Sequence, residues 1–192
     1  MKSDIILAGV GGQGILTIAT IIGYAALESN LKLKQSEVHG MSQRGGDVQS
    51  HLRISDKEIF SDLIPVGAAD LIVSVEPMES LRYIPFLSSE GWIITNTTPF
   101  INTATYPEKE KLLAEIGKQP HNIMIDADVL AKEMGAPRAM NMIMLGAVTE
   151  FIDIPYEKFQ EGIKFIFQRK GEDIVNSNLK AMDRGKEIAQ KR

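Results

Sequence analysis

Ser3–Gly14, SDIILAGVGGQG, decides how the rest of the chain is read. Ile5, Ile6, Leu7 and Ala8 form a short apolar run, and Gly9, Gly11, Gly12 and Gly14 follow at once. Gln13 then opens an apolar stretch, ILTIATIIGYAAL, from Ile15 to Leu27. The order is buried strand, glycine turn, helix. At such a helix start the first N–H groups lack intrahelical partners, and the positive end of the helix dipole faces the turn. A phosphate or carboxylate suits that place. The spacing Gly9-x-Gly11-x-x-Gly14 fits the dinucleotide fingerprint in its strand-before, helix-after context. The plainer reading is a turn whose glycines only bring helix and strand together.

Outward from this turn, strands alternate with helices. The predicted helix Gln13–Ser29 stops at Asn30, and Lys32–Val38 reads as a strand. Asp47–Ile54 is a second strand with Val48, Ser50, Leu52 and Ile54 on one face. Ser55–Glu58 reads as a hairpin turn, which would add an antiparallel portion after Gly46. Asp70–Val75 (DLIVSV), Gly91–Asn96 and Asn122–Asp126 are core strands, and Glu76–Pro77 starts a helix with the proline in its first turn. Pro107–Gly117 and Asp126–Gly135 are short helices. Beyond Ala139 the chain is helical, through Met140–Phe151, Tyr156–Gln168 and Glu172–Gln190. The fold class is therefore α/β. It is a Rossmann-like, mostly parallel sheet with helices on both faces, an added hairpin and a helical C-terminal region. The 192 residues read as a single domain, 1–192.

Composition excludes several classes. Hydrophobic residues are 44% and charged residues 24%, ordinary for a globular protein. A net charge of −4 argues against a nucleic-acid partner. Cysteine is absent, which removes disulfides, thiolate metal sites, a cysteine nucleophile and cysteine-ligated clusters from this chain. The N-terminus has no signal-peptide pattern, and Ile15–Leu27 is shorter than the roughly 20 residues a bilayer requires. No membrane association and a cytoplasmic location are the expectations.

A second informative stretch is Ser36–Gly46, SEVHGMSQRGG. It follows a strand, and ligands in open α/β sheets collect at carboxyl ends of strands. Arg44 offers a planar fork for a phosphate or carboxylate, with Ser42 and Gln43 as donors beside it. The alternative is a turn whose Arg44 meets a local acid such as Asp47. His39 and His51 read as structural histidines. Glu37 stands about 20 residues past the glycine turn, the place of a ribose-binding acid, which keeps an NAD or flavin reading open. Asn96, Thr97 and Thr98 end a core strand and are either ligand contacts or a cap. Asp126 reads as a cap, and Met140, Met142 and Met144 as core. No catalytic group and no metal site are expected in the chain.

Three runs, GVGGQGIL (9–16), SEVHGMSQRGG (36–46) and PRAMNMIMLGA (137–147), resemble the γ-type domain of 2-oxoacid:ferredoxin oxidoreductases. LIPVGAADLIVSVEPMESLR (63–82) resembles it too, so the likeness covers nearly the whole chain. Within the family it is most similar to the branch that acts on indolepyruvate and other aryl pyruvates. The resemblance implies oxidative decarboxylation of a 2-oxoacid to an acyl-CoA and carbon dioxide, with electrons passing to ferredoxin. It implies that thiamine diphosphate and iron–sulfur clusters sit on a large α subunit, with no cofactor held by this chain alone. Coenzyme A would be a co-substrate at the interface. Gly11, Gly12, Gln13, Gly14, Ser42, Gln43, Arg44 and Asn96 are the residues expected to serve that role. The chain would be inactive alone, and in isolation it would form a homodimer through the surface meant for its partner. The competing expectations are a stand-alone NAD- or flavin-binding oxidoreductase and a nonenzymatic nucleotide- or CoA-binding module.

Overall fold

A computed structural model describes residues 1–40 and 45–191. β1 (Lys2–Val10) leads through the glycine turn into α1 (Ile15–Glu28), which returns as β2 (Lys32–His39). β3 (Asp47–Ser55), β4 (Ala69–Ser74), α2 (Pro77–Arg82), β5 (Leu87–Asn96), α3 (Lys109–Ile116), β6 (Asn122–Ile125) and α4 (Ala127–Glu133) follow. α5 (Met140–Val148), α6 (Tyr156–Phe167) and α7 (Glu172–Ala189) complete the chain.

The strands make one sheet in the order β2-β3-β1-β4-β5-β6. β1, β4, β5 and β6 pair in parallel. β3 runs antiparallel between β1 and β2, with Val10 opposite Asp47 and Lys2 opposite Ser55. Alternation along β1 explains the two layers. Ile5 and Leu7 join one core with residues of α1, α4, α5, α6 and α7. Ile6 and Ala8 join a smaller core on the other face, with Ile64, Tyr83 and Ile116. The expected mixed sheet, flanking helices and helical C-terminal part are all present. Asn30 ends α1 in the left-handed conformation, at φ 57°.

An antiparallel hairpin is present, β2–β3, but the place of its turn is a correction. Ser55–Glu58 does not connect its two strands. β3 pairs back with β2 across residues 40–46, and the chain after Ser55 runs irregularly to Ala69. β3 is already paired on both sides, with β1 and β2, so no edge of it is left for that stretch to join. Arg53 and His51 hold it instead. The Arg53 guanidinium donates to the carbonyls of Ser61 (3.1 Å) and Leu63 (3.0 Å), and the Ile64 N–H donates to His51 Nδ1 at 2.9 Å. Arg53 also forks onto the buried Asp4 carboxylate at 2.7 and 3.0 Å. His51 is thus the structural histidine expected. Burial pushes its pKa below the ordinary 6.5, Arg53 adds to this, and Asp4 opposes it.

α5 and α7 cross at glycines. A Cβ on Gly146 would fall 1.9 Å from the Met182 carbonyl oxygen, and one on Gly185 would fall 1.8 Å from that of Ile143. Met140, Met142 and Met144 are buried in the larger core, as read from sequence.

Candidate functional site

The glycine turn lies where the carboxyl ends of β1, β4, β5 and β6 converge. Gly14 occupies the N-cap of α1 at φ 81° and supplies no side-chain cap. The Thr17 and Ile18 N–H groups donate to the Gly14 carbonyl, while those of Ile15 and Leu16, ahead of them, have no intrahelical acceptor. Gly12 also has a positive φ, 100°. A cavity of 320 Å³ opens here, lined by Val10, Gly11, Gly12, Gly14, Ile15, Leu16, His39 and Val48. Its described walls combine the glycines of the turn with apolar side chains. That pairing suits a ligand with an anionic head and an apolar portion.

Not every expected contact residue faces the cavity. The Gly11 N–H is already bonded to the Gly46 carbonyl at 2.9 Å, which ties the turn to the loop between β2 and β3. Gln13 turns inward. Its Oε1 accepts from the Val10 N–H at 2.8 Å, and its Nε2 points to the Val75 carbonyl at 3.4 Å. Asn96, expected as a ligand contact, is completely buried and its amide is spent internally. Asn96 Nδ2 donates to the Val75 carbonyl (3.1 Å) and to Asp128 (2.8 Å), and Asn96 Oδ1 accepts from the Ala127 N–H at 3.1 Å. It is a brace across three strand ends and caps α4 from outside that helix. Asp126 stands at the N-cap position, but its carboxylate accepts from the Thr98 hydroxyl rather than capping. Ser42, Gln43 and Arg44 lie outside the described residues.

Asn141 and Glu76 join the site without having been singled out for it, and His39 joins it although read as a structural histidine. His39 lines the cavity, and its Nε2 lies 3.2 Å from Glu37. Its place directly before Gly40 in the 36–46 run was the available signal. Glu37 is bonded to His39 and to Gln35. Asn141 Nδ2 donates to the Gly14 carbonyl at 3.2 Å, so the run 137–147 supports the turn from behind. Glu76 is fully buried beneath the same edge of the sheet. Among the described residues no group of three or more histidine, aspartate or glutamate side chains is placed to hold a metal ion. No helix among them is long and apolar enough to cross a membrane.

The family profile described as pyruvate ferredoxin/flavodoxin oxidoreductase matches residues 4–188. The chain belongs to this family. It is 38% identical to the indolepyruvate oxidoreductase subunit IorB of Archaeoglobus fulgidus, over 96% of this chain and 94% of that protein. It is 37% identical to the subunit of the same name from Pyrococcus horikoshii, over 97% and 96%. Two solved structures share the fold. A 2-oxoglutarate:ferredoxin oxidoreductase from Magnetococcus marinus superposes with a TM-score of 0.81 at 22% identity, over the whole of this chain and 31% of that longer one. The pyruvate oxidoreductase subunit PORC from Thermotoga maritima gives 0.71 at 22% identity, over 97% of this chain and 96% of that one. The relatives that match this family member end to end are subunits of oxidoreductases, and a stand-alone Rossmann-type enzyme is not favoured.

Proposed function

We propose that this chain is the smaller subunit of a 2-oxoacid:ferredoxin oxidoreductase, acting on indolepyruvate or a related aryl pyruvate. It closes over the active site of a large partner subunit and helps bind coenzyme A. The observation that carries this reading is end-to-end similarity to the indolepyruvate oxidoreductase subunits, joined to an uncapped helix start behind a glycine turn. The overall reaction converts a 2-oxoacid and coenzyme A into an acyl-CoA and carbon dioxide, releasing a proton and delivering two electrons to ferredoxin. Thiamine diphosphate and iron–sulfur clusters supply decarboxylation and electron removal. With no cysteine, this chain provides no thiolate ligands for a cluster, which fits their being held by the partner.

The residues of this chain bind and enclose. The N–H groups around Gly12 and Gly14 meet an anionic part of coenzyme A, and the α1 dipole adds to the attraction. Ile15, Leu16 and Val48 give the cavity an apolar wall. Arg44 supplies a fixed positive charge from the adjoining loop, with Ser42 and Gln43 as donors. Phe60, Val66 and Ile101 are 91%, 71% and 72% exposed, which fits a chain whose surface is covered in an assembly. Self-association of the isolated chain is expected from the same residues.

Arg44→Ala in the assembled enzyme tests the site. Loss of a charge-assisted bond predicts a KM for coenzyme A or the 2-oxoacid raised about tenfold or more, at ~1.4 kcal/mol per decade. Unchanged kinetics would refute the assignment.

A further inference from the structure

Glu76 precedes Pro77, so sequence alone makes it an ordinary helix cap. It does cap α2, since its Oε2 accepts from the Glu79 N–H at 3.0 Å. A serine would do as much at less cost, because a buried carboxylate forfeits its hydration. Glu76 is nevertheless completely buried, and no lysine or arginine pairs with it among the described residues. Its second oxygen explains the expense. Oε1 accepts from the Phe100 N–H at 3.2 Å and from the Tyr106 hydroxyl, which also meets the Met78 backbone in α2. The Tyr106 phenol is held well above its ordinary pKa, first by burial and then by Glu76, so it remains a donor.

Phe100 and Tyr106 belong to one irregular strap, residues 97–106, between β5 and α3. Between them Asn102 Nδ2 donates to the Gly45 carbonyl at 2.8 Å. The next carbonyl, Gly46, accepts from the Gly11 N–H at 2.9 Å. A continuous set of bonds therefore runs from the buried carboxylate through the strap and the β2–β3 loop to the glycine turn.

We propose that Glu76 is a positioning residue: it fixes the strap so that Asn102 holds Gly45 and Gly46 against Gly11, setting the wall of the coenzyme A cavity. This rests on the reading of the glycine turn as the coenzyme A cradle. Its consequence is that cutting the strap anywhere along this route weakens coenzyme A binding, including at exposed positions that leave the α2 cap intact.

The test uses the assembled enzyme and four variants. Asn102→Ala removes the exposed link to Gly45. Tyr106→Phe removes one strap bond and the hydroxyl's contact with the Met78 backbone, and leaves the Glu76 cap of α2 in place. Glu76→Gln keeps the shape and one acceptor, and Glu76→Ser keeps only the cap. KM for coenzyme A, kcat and melting temperature are measured for each. The expected result is a five- to twentyfold rise in KM for coenzyme A in Asn102→Ala and Tyr106→Phe, with kcat within about twofold. Glu76→Ser should rise further, and Glu76→Gln should fall between Glu76→Ser and wild type. A role confined to capping α2 would leave KM for coenzyme A unchanged in all four variants, Glu76→Ser included because it retains the cap, which overturns the proposal. Amide exchange in the wild-type complex separates the two layers. Slower exchange across residues 9–16 on adding coenzyme A supports the cradle; with that protection present, unmoved KM values refute the role of Glu76 alone. No protection of residues 9–16 refutes the cradle, and the role given to Glu76 falls with it.

Discussion

Gly14→Ala concentrates the local physics of the glycine turn in one methyl group. At φ 81° an alanine costs about 1–2 kcal/mol in the left-handed region. The new Cβ would also stand 2.4 Å from Asn141 Nδ2 and 3.1 Å from its Cγ, so the amide must rotate away. Rotation forfeits its 3.2 Å bond to the Gly14 carbonyl, about 1 kcal/mol, and leaves an off-rotamer side chain at roughly 0.5–1.5 kcal/mol. Reduced unfolded-state entropy returns about 0.4–1 kcal/mol. The net destabilisation is about 1.5–4 kcal/mol, or roughly 3–16 °C in Tm for a chain of this length. The decisive comparison is with Asn141→Ala. The Asn141 Cβ lies 3.5 Å from the position of the new methyl, so alanine at 141 leaves room for it. In that background Gly14→Ala should cost only about 1 kcal/mol, the backbone contribution alone. Urea unfolding of the four proteins measures the cycle, with an expected coupling of about 1.5–2.5 kcal/mol. Additivity within about 0.5 kcal/mol would show that Asn141 does not fill the space behind the turn.

Two further outcomes follow from the opposite edge of the sheet. Arg53→Ala leaves the Asp4 carboxylate, 1% exposed, with Lys2 as its remaining cation and frees two loop carbonyls, so a loss of about 2–4 kcal/mol is expected in urea unfolding; a loss under about 1 kcal/mol would remove Arg53 as the anchor of residues 59–64. The His51 pKa is depressed on folding, so the unfolded chain takes up a proton first as pH falls; its contribution is full above about pH 6.5 and declines below that value toward the lower folded pKa. Urea midpoints from pH 7.5 to 5 should fall over that window in wild type and less steeply in His51→Gln, and equal slopes would contradict the neutral role of Nδ1.

Much of the sheet was legible because its signals are local. Ile5–Ala8, Asp70–Val75 and Gly91–Asn96 are apolar runs that only a doubly covered sheet buries, and Met142 and Met144 fall in the core for the same reason. The partner of β3 was not legible. Its pairing with β2 is local, but its pairing with β1 brings Val10 opposite Asp47 and Lys2 opposite Ser55, far apart in sequence. The site divides in the same way. Gly12 and Gly14 announce a turn with positive φ, and the structure has one. Asn96 ends a strand and so reads equally as ligand contact or brace; only the convergence of Val75, Ala127 and Asp128 decides for the brace. Glu76 hid behind its proline, since its bonds to Phe100 and Tyr106 span 24 and 30 residues.

The central claim is that this chain works as the smaller subunit of a 2-oxoacid:ferredoxin oxidoreductase. The most direct measurement is a tagged pull-down of the chain from anaerobically grown native cells, with iron and thiamine diphosphate assayed in the eluate and turnover measured with indolepyruvate, coenzyme A and a viologen acceptor. A large cysteine-rich partner carrying both cofactors, with acceptor reduction that depends on coenzyme A, is the predicted result. A chain recovered alone, free of iron and thiamine diphosphate and inactive with every 2-oxoacid tried, would contradict it.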